Sequence, residues 1–214
     1  MFDYYRELNI KNIRSPKYRH LFFILFWPVY LTLFVVTEKY VIPTHNMYCP
    51  LDDLIPFCEF FVVPYFLWYG LLAFVSLYGL FCDIPTFKRF YKFLCISSLI
   101  SFAMFIVYPS EQTLRPDTFL RENLFVSIMR DGIYVADTNT NVCPSLHVVF
   151  SLGMLFSLWN SKHFSTTAWR IALIVIAALV SVSTIFLKQH SVIDIFVGIL
   201  LSFVVLPFIK TKAV

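Results

Sequence analysis

Charged residues and glycines are both scarce in this chain. Lys, Arg, Asp and Glu make up 14% of the 214 residues, and only five residues are glycine, against 25 Phe and 12 Tyr. So few glycines exclude a low-complexity linker or a repeat array. Hydrophobic residues account for 59% of the chain and the mean hydropathy is +0.74, above the roughly 45–50% apolar content of soluble domains. The composition therefore predicts a single membrane domain.

Metal-finger and nucleic-acid signatures are also missing. The five cysteines form no CxxC pair and no zinc spacing with histidine, and the basic residues form no run interleaved with aromatics. A zinc finger and a nucleic-acid partner are therefore not expected. Cys49 and Cys58 fall in or near one predicted outer loop, where either a disulfide or unpaired apolar side chains would fit; we favour the unpaired state.

Six apolar stretches are long enough to cross a bilayer as helices, which takes about 20 residues each. Residues 1–20 have no short apolar core followed by a small-residue cleavage site, so they predict a cytoplasmic leader rather than a signal peptide. We expect one six-helix domain over residues 21–209 and a cytoplasmic tail over residues 210–214. The predicted spans are residues 21–37, 56–82, 91–108, 144–160, 170–187 and 190–209.

The basic residues predict the orientation, because Lys and Arg favour cytoplasmic loops. With the N-terminus inside, the cytoplasmic side receives most of them: Arg6, Lys11, Arg14, Lys17, Arg19, Lys88, Arg89, Lys92, Lys162, Arg170, Lys210 and Lys212. The outer side receives Lys39, Arg115, Arg121, Arg130 and Lys188. Both termini are therefore predicted to be cytoplasmic, and the plasma membrane is the expected location.

The longest connection, residues 109–142, is predicted on the outer side. Its apolar residues are spaced as one helical face, which predicts an interfacial helix that either closes the bundle or admits substrate. They are Phe119, Leu120, Leu124, Phe125, Ile128 and Met129.

Three polar clusters lie at the ends of predicted spans, at residues 108–116, 143–147 and 183–194. Ionisable groups at membrane spans are costly and mark functional sites. The third and fifth spans end on the outer side, and the fourth and sixth begin there. All three clusters are therefore expected to meet at the outer membrane face.

The residue types in these clusters suit phosphate chemistry. Pro144 fits the first turn of a helix, which would leave the free backbone N–H groups around Ser145 and His147 available to an anion. His190 and Asp194 are four residues apart, so they share a helix face and the carboxylate can hold one ring nitrogen. The other ring nitrogen would then be free to attack.

These parts predict phosphoryl transfer through a phosphohistidine. One histidine is the nucleophile, a carboxylate orients it, and a second histidine protonates the leaving oxygen. Arg115, with Lys188 as a second cation, would neutralise the non-bridging oxygens. The alternative is that Lys188, which lies at a helix end, extends its side chain to the membrane interface instead.

At the motif level the chain resembles the type 2 phosphatidic acid phosphatase superfamily of membrane lipid phosphatases and phosphotransferases. That family's pattern is Lys, six residues, Arg-Pro; then Pro-Ser-x-His; then Ser-Arg, five residues, His, three residues, Asp. Arg115-Pro116, Pro144-Ser145-Leu146-His147, Ser183, His190 and Asp194 match it in order and spacing.

The resemblance implies an all-α bundle of about six transmembrane helices that works without a metal ion or other cofactor. It implies that His190 is the nucleophile, Asp194 its orienting carboxylate and His147 the acid for the leaving group. Arg115 and Ser145 are implied as phosphate ligands, and Ser183 joins them as the motif serine.

Two positions depart from the pattern. Tyr108 stands where the family has its first lysine, and Thr184 stands where it has an arginine. These departures, with the stretch from Ile55 to Tyr65, resemble the inositol phosphorylceramide synthase branch, which transfers a phospho-headgroup between lipids.

Two enzyme functions follow for this site. The first is a phosphatase acting on a phosphatidic acid-like monoester or a polyprenyl pyrophosphate in the outer leaflet, and the second is a lipid phosphotransferase. A transporter or scaffold that binds an anion would need broken inverted-repeat helices, and no internal repeat is visible. A metalloenzyme using His147, His190 and Asp194 as ligands would be distinguished by sensitivity to a chelator. Neither the lipid nor the oligomeric state follows from the sequence.

Overall fold

The computed structural model describes residues 3–209 and is a bundle of six main helices, which confirms the predicted all-α fold. The predicted tail at residues 210–214 lies outside the described residues. The six helices are α1 (Phe26–Tyr40), α2 (Val62–Cys82), α3 (Ile84–Val107), α6 (Leu146–Leu158), α7 (Thr167–Phe186) and α8 (Val192–Ile209). Two short helices between α3 and α6, namely α4 (Leu124–Ser127) and α5 (Tyr134–Ala136), complete the numbering.

Five of the six predicted spans correspond to helices long and apolar enough to cross a membrane, as expected of a multi-pass membrane protein. They are Arg19–Tyr40, which joins a 3-10 turn to α1, then Glu59–Cys82, Ile84–Val107, Thr167–Phe186 and Val192–Ile209. The third begins seven residues before the predicted boundary at residue 91, because Asp83 caps its first turn by accepting a hydrogen bond from the Thr86 N–H.

The fourth predicted span forms only the 13-residue helix α6. At 1.5 Å per residue it is about 20 Å long, shorter than the roughly 30 Å hydrocarbon core. Eleven of its residues are buried, and it packs against α2, α3, α7 and α8. The helix therefore occupies the centre of the bundle, which explains why its sequence is apolar on every side.

Short elements connect the main helices. A continuous helical stretch consists of α4 (Leu124–Ser127), a π-helical turn (Ile128–Ile133) and α5 (Tyr134–Ala136), and the strands β1 (His45–Asn46) and β2 (Ser110–Glu111) pair in parallel. The remaining elements are 3-10 helices at Asp3–Tyr5, Arg19–Leu25, Pro50–Leu54 and Glu59–Phe61.

The predicted interfacial helix is shorter than its apolar pattern suggested. It begins at Leu124, after the Asn123 side chain has capped it, so Phe119 and Leu120 precede it. Leu120 is fully exposed, whereas Met129 and Ile133 are buried in a small core with Leu187. Packing against the bundle therefore decides which residues of this loop form the buried helix face.

The two ends of the bundle differ in chemistry. At one end the Tyr5 hydroxyl donates to the Leu80 carbonyl, and Asp83 accepts a hydrogen bond from Ser161. The three polar clusters lie at the other end of α2, beside Tyr65. We call these the N-terminal end and the site end. The N-terminal segment and the polar clusters are thus separated by the length of α2.

Candidate active site

The site end is organised by the close approach of two helix N-termini. The Ser145 N–H, at the start of α6, donates to the backbone carbonyl of Asp194 in α8 at 3.2 Å. Gly198 permits this approach, because a Cβ there would lie 3.1 Å from the Ser145 carbonyl oxygen and 3.2 Å from Val148 Cβ. The contact places the motif residues of α6 and α8 side by side.

The two motif histidines lie together as a result. The ring centroids of His147 and His190 are 5.7 Å apart, with an interplanar angle of 64°. His147 packs between the rings of Tyr65 and Trp68, at 4.7 and 4.4 Å. Its Nε2 is buried and has no hydrogen-bond partner among residues 3–209. That nitrogen is free to exchange a proton with a bound ligand.

Asp194 contacts the imidazole of His190, but His190 lies in the turn before α8, so the two residues do not share a helix face as the spacing predicted. The Nδ1 of His190 lies 3.3 Å from Asp194 Oδ2, a long contact, and the same oxygen accepts the Ser191 N–H at 2.9 Å. Asp194 is completely buried and His190 is nearly so. Within the described part of the chain, His190 Nε2 makes no hydrogen bond. It is the nitrogen available for attack.

Ser145 lies at the N-cap of α6, and its Oγ is buried without a partner in the described structure. An unpaired buried hydroxyl is costly. Next to two histidines and a helix N-terminus, this hydroxyl is suited to an anionic oxygen. The Cys143 thiol lies beside Asp194, and burial together with that carboxylate raises its pKa to about 12. This thiol is therefore protonated at neutral pH.

Arg115 reaches the site end but is engaged by the protein. Its guanidinium donates to the carbonyls of Tyr134 at 3.0 Å and Asp137 at 2.6 Å, and to Gln189 Oε1 at 2.5 Å. It also stacks over the Tyr134 ring at 4.3 Å. Arg115 thus fastens the loop after α5 to the turn before His190, and burial lowers the pKa of its side chain.

The remaining two predicted phosphate ligands are also engaged elsewhere. The Lys188 ammonium donates to the backbone carbonyl of Asp52 at 2.7 Å, and burial lowers its pKa. The Ser183 hydroxyl donates to the Val180 carbonyl of its own helix at 2.6 Å. The structure therefore brings His147, His190, Asp194 and Ser145 together, links Arg115 to them through Gln189, and directs the polar atoms of Lys188 and Ser183 into protein contacts.

A cavity of about 260 Å³ opens beside the two histidines. Its walls come from α1, α2, α5, α6, the loop after α5 and the turn before α8, and most of the lining residues are aromatic or aliphatic. The lining residues are Trp27, Tyr30, Leu31, Phe34, Trp68, Tyr69, Leu72, Ala136, Asp137, Asn141, Leu146, His147 and His190. A polar reaction centre thus meets an apolar chamber, an arrangement that fits a lipid with a phosphate at its head.

Asp137 is an acidic residue beside the histidines that the motifs did not reveal. Its Oδ2 accepts hydrogen bonds from the Tyr65 hydroxyl at 2.9 Å and from Gln189 Nε2 at 3.3 Å. Burial raises its pKa, opposed by the nearby His190, Tyr65 and Arg115. It lies outside every motif, and no local pattern singles it out; only the folded loop brings it to the histidines.

Asp52 and Asp53 form an acidic pair in the loop before α2, and carboxylates in such a loop are normally solvated. Asp53 is exposed and accepts the Tyr48 hydroxyl at 2.6 Å, but Asp52 is completely buried. Its carboxylate accepts from the N–H groups of Cys49 and Val192 and from the Ser191 hydroxyl. The loop before α2 is therefore attached directly to the start of α8, next to His190.

The five cysteines are all free. Cys49 and Cys58, the pair considered for a disulfide, are among them. Among residues 3–209, no group of three or more His, Cys, Asp or Glu side chains is arranged to hold a metal ion.

Comparison with known protein families finds a similarity over the second half of the chain. The family model of the PAP2 superfamily matches residues 109–213, just under half of the chain. The match includes all three polar clusters except Tyr108 and leaves α1, α2 and α3 outside it. It is a match to the superfamily and indicates no particular branch. No curated protein and no solved structure matches the chain.

Proposed function

We propose that this protein is a membrane lipid phosphoesterase that works through a covalent phosphohistidine at His190. The observation that carries the proposal is the buried pair of histidines, 5.7 Å apart, with Asp194 on one of them and an apolar cavity beside both. The match to the PAP2 superfamily supports the same activity. Phosphatidic acid and a polyprenyl pyrophosphate are the phosphatase substrates that we expected from the motifs.

The proposed reaction has two steps. In the first, His190 Nε2 attacks phosphorus, the bond from phosphorus to the lipid oxygen breaks, and His147 gives that oxygen a proton. In the second, water attacks the phosphohistidine and loses a proton to His147, which releases inorganic phosphate and restores both histidines. Asp194 holds His190 throughout, and the Ser145 hydroxyl and N-terminus of α6 bind the phosphoryl oxygens.

The experiment measures phosphate release from ³²P-labelled phosphatidic acid by purified protein in mixed micelles, with chelator present. We expect His190→Ala to abolish turnover and Asp194→Asn to reduce it by about 10²-fold or more, because the imidazole loses its orienting carboxylate. His163→Ala is the matched control, since His163 lies at the N-terminal end, bonded to Tyr78. Undiminished release by His190→Ala would overturn the mechanism.

A trapping experiment tests the intermediate itself. Protein quenched during turnover should carry acid-labile, base-stable label, as a phosphohistidine does, and His190→Ala should carry none. We expect His147→Ala to form and to lose the label more slowly than the wild type, because the proposed reaction uses His147 as the acid of the first step and as the base of the second. Label that survives acid would indicate a different nucleophile.

A lipid phosphotransferase is the second candidate, and a specific observation favours it. Neither Arg115 nor Lys188 lines the cavity, so the site has fewer cations for a dianionic monoester than the family pattern supplies. Product analysis with and without ceramide or diacylglycerol separates the two functions. Inorganic phosphate without an acceptor indicates the phosphatase, whereas label found only on a second lipid indicates the transferase.

We also propose that the site end faces away from the cytoplasm, in the plasma membrane, with both termini cytoplasmic. The basic residues Lys17, Arg19, Lys88 and Arg89 belong to segments at the N-terminal end, where Tyr5 contacts Leu80. Accessibility of a cysteine introduced at the exposed Leu120 to an impermeant thiol reagent, in intact cells and in opened membranes, tests the orientation. Labelling only after opening would reverse it.

A further inference from the structure

Asp137 is the one acidic side chain that the described residues contribute to the wall of the cavity. It follows α5 and lines the chamber together with His147 and His190. Among residues 3–209, no lysine and no arginine lines the cavity. The residue is therefore placed to act on the same ligand as the histidines, although the phosphohistidine mechanism gives it no task.

The carboxylate is held in place by one of its two oxygens. Oδ2 accepts hydrogen bonds from the Tyr65 hydroxyl and the Gln189 side-chain amide. The amide oxygen of the same Gln189 side chain, Oε1, accepts a hydrogen bond from Arg115. Oδ1 accepts no hydrogen bond from residues 3–209. It is an accessible atom, since it does not belong to the buried side-chain atoms without a partner. The protein thus fixes the orientation of the group and leaves one acceptor oxygen for a ligand.

The negative charge of Asp137 favours one class of phosphate ester in this cavity over another. A phosphomonoester bears up to two negative charges and would meet the carboxylate with no lysine or arginine among the described wall residues to offset the repulsion. A phosphodiester bears one, and the substituent beyond its phosphorus can carry a hydroxyl or an ammonium group. Such a donor would satisfy Oδ1 with a charge-assisted hydrogen bond.

We propose that Asp137 is a headgroup-recognition residue, which accepts a hydrogen bond from a hydroxyl or ammonium group on a phosphodiester lipid. The site then prefers such lipids over phosphatidic acid. This inference rests on the proposed attack of His190 at phosphorus. His190 Nε2 bonds to phosphorus and the bond to the diacylglycerol oxygen breaks. Diacylglycerol leaves with a proton from His147, and the phospho-headgroup stays on His190 until water or a lipid hydroxyl accepts it.

The experiment compares four lipids in mixed micelles: phosphatidylglycerol, phosphatidylethanolamine, phosphatidylcholine and phosphatidic acid. Phosphatidylcholine matches phosphatidylethanolamine in charge but has no N–H donor. For the wild-type protein we expect kcat/KM to be about tenfold or more higher with a donor-bearing headgroup than with phosphatidylcholine or phosphatidic acid. The relative rates with phosphatidylglycerol and phosphatidylethanolamine identify the donor as hydroxyl or ammonium.

Asp137→Asn keeps the shape of the side chain and removes its charge. We expect it to lower kcat/KM for the donor-bearing lipid about tenfold, mainly through KM, and not to lower the value for phosphatidic acid. Asp131→Asn is the matched control, because Asp131 is exposed on the same loop and pairs with Arg130; it should change neither value.

Three results would overturn the inference. They are an equal loss of kcat/KM in Asp137→Asn with all four lipids, a wild-type preference for phosphatidic acid, or no wild-type turnover of either donor-bearing lipid. His190→Ala is measured alongside, with whichever lipid the wild type cleaves fastest. Activity of His190→Ala overturns the proposed function itself. An inactive His190→Ala together with a wild-type preference for phosphatidic acid leaves that function standing and removes only the role of Asp137.

Discussion

The Ser191 hydroxyl donates a 2.6 Å hydrogen bond to the buried carboxylate of Asp52, 139 residues away in the chain. The same carboxylate accepts the Val192 N–H at 2.9 Å. Because free N–H groups at a helix start need acceptors, Asp52 acts as the cap of α8. A loop outside the region of family similarity thus holds the residues that follow His190.

Asp52→Asn should weaken this attachment. The amide offers one acceptor oxygen where three donors now converge, so at least one buried donor loses its partner, at a cost of about 1–3 kcal/mol. We expect Asp52→Asn to have a lower unfolding temperature in detergent. We also expect its kcat to fall by a larger factor than the factor by which its KM changes. Asp53→Asn is the control, since Asp53 is exposed. An unchanged kcat in folded Asp52→Asn would show that the cap does not position His190.

Lys188→Met tests what the lysine does. Its ammonium binds the Asp52 carbonyl at 2.7 Å and is nearly buried, so we expect a stability loss of about 1–3 kcal/mol with little change in KM. Thermal unfolding and steady-state kinetics on the same preparation check both. Lys39→Met, an exposed lysine at the end of α1, is the control. A large rise in KM without loss of stability would instead indicate a phosphate ligand.

Gly198→Val should move α6 and α8 apart. The added Cβ lies 3.1 Å from the Ser145 carbonyl oxygen, and the branched methyl groups need further room, so α6 and α8 must move apart. A displacement approaching 1 Å between His147 and His190 lowers kcat by about 10²-fold. The prediction is tested by measuring kcat at saturating lipid, on a preparation of the variant that still elutes as a folded protein. Wild-type kcat would mean that the helices tolerate the wider spacing.

A glycine pair in α2 tests helix packing apart from catalysis. A Cβ at Gly79 would lie 2.9 Å from the Phe87 backbone in α3, whereas a Cβ at Gly70 meets nothing within 4 Å. We expect Gly79→Ala to destabilise the bundle by about 1–3 kcal/mol, and Gly70→Ala to leave its stability unchanged or slightly raised. Thermal unfolding of both variants in one detergent measures the difference, and equal unfolding temperatures would contradict the close α2–α3 contact.

The sequence by itself determined the bundle and the approximate helix bounds. Helical hydrogen bonds are local and lipid requires about 20 apolar residues per span, so both features can be predicted from neighbouring residues alone. The same argument placed three polar clusters at one end, where His147, His190 and Asp194 do meet.

Only the tertiary structure decided the surroundings of those residues. Asp52 is buried, Asp137 enters the cavity, and Lys188 binds a backbone carbonyl because loops far apart in the chain pack together at the site end. Composition and spacing carry no information about such contacts. Whether a carboxylate is solvated, caps a helix or faces a ligand depends on which donors the folded loops bring to it.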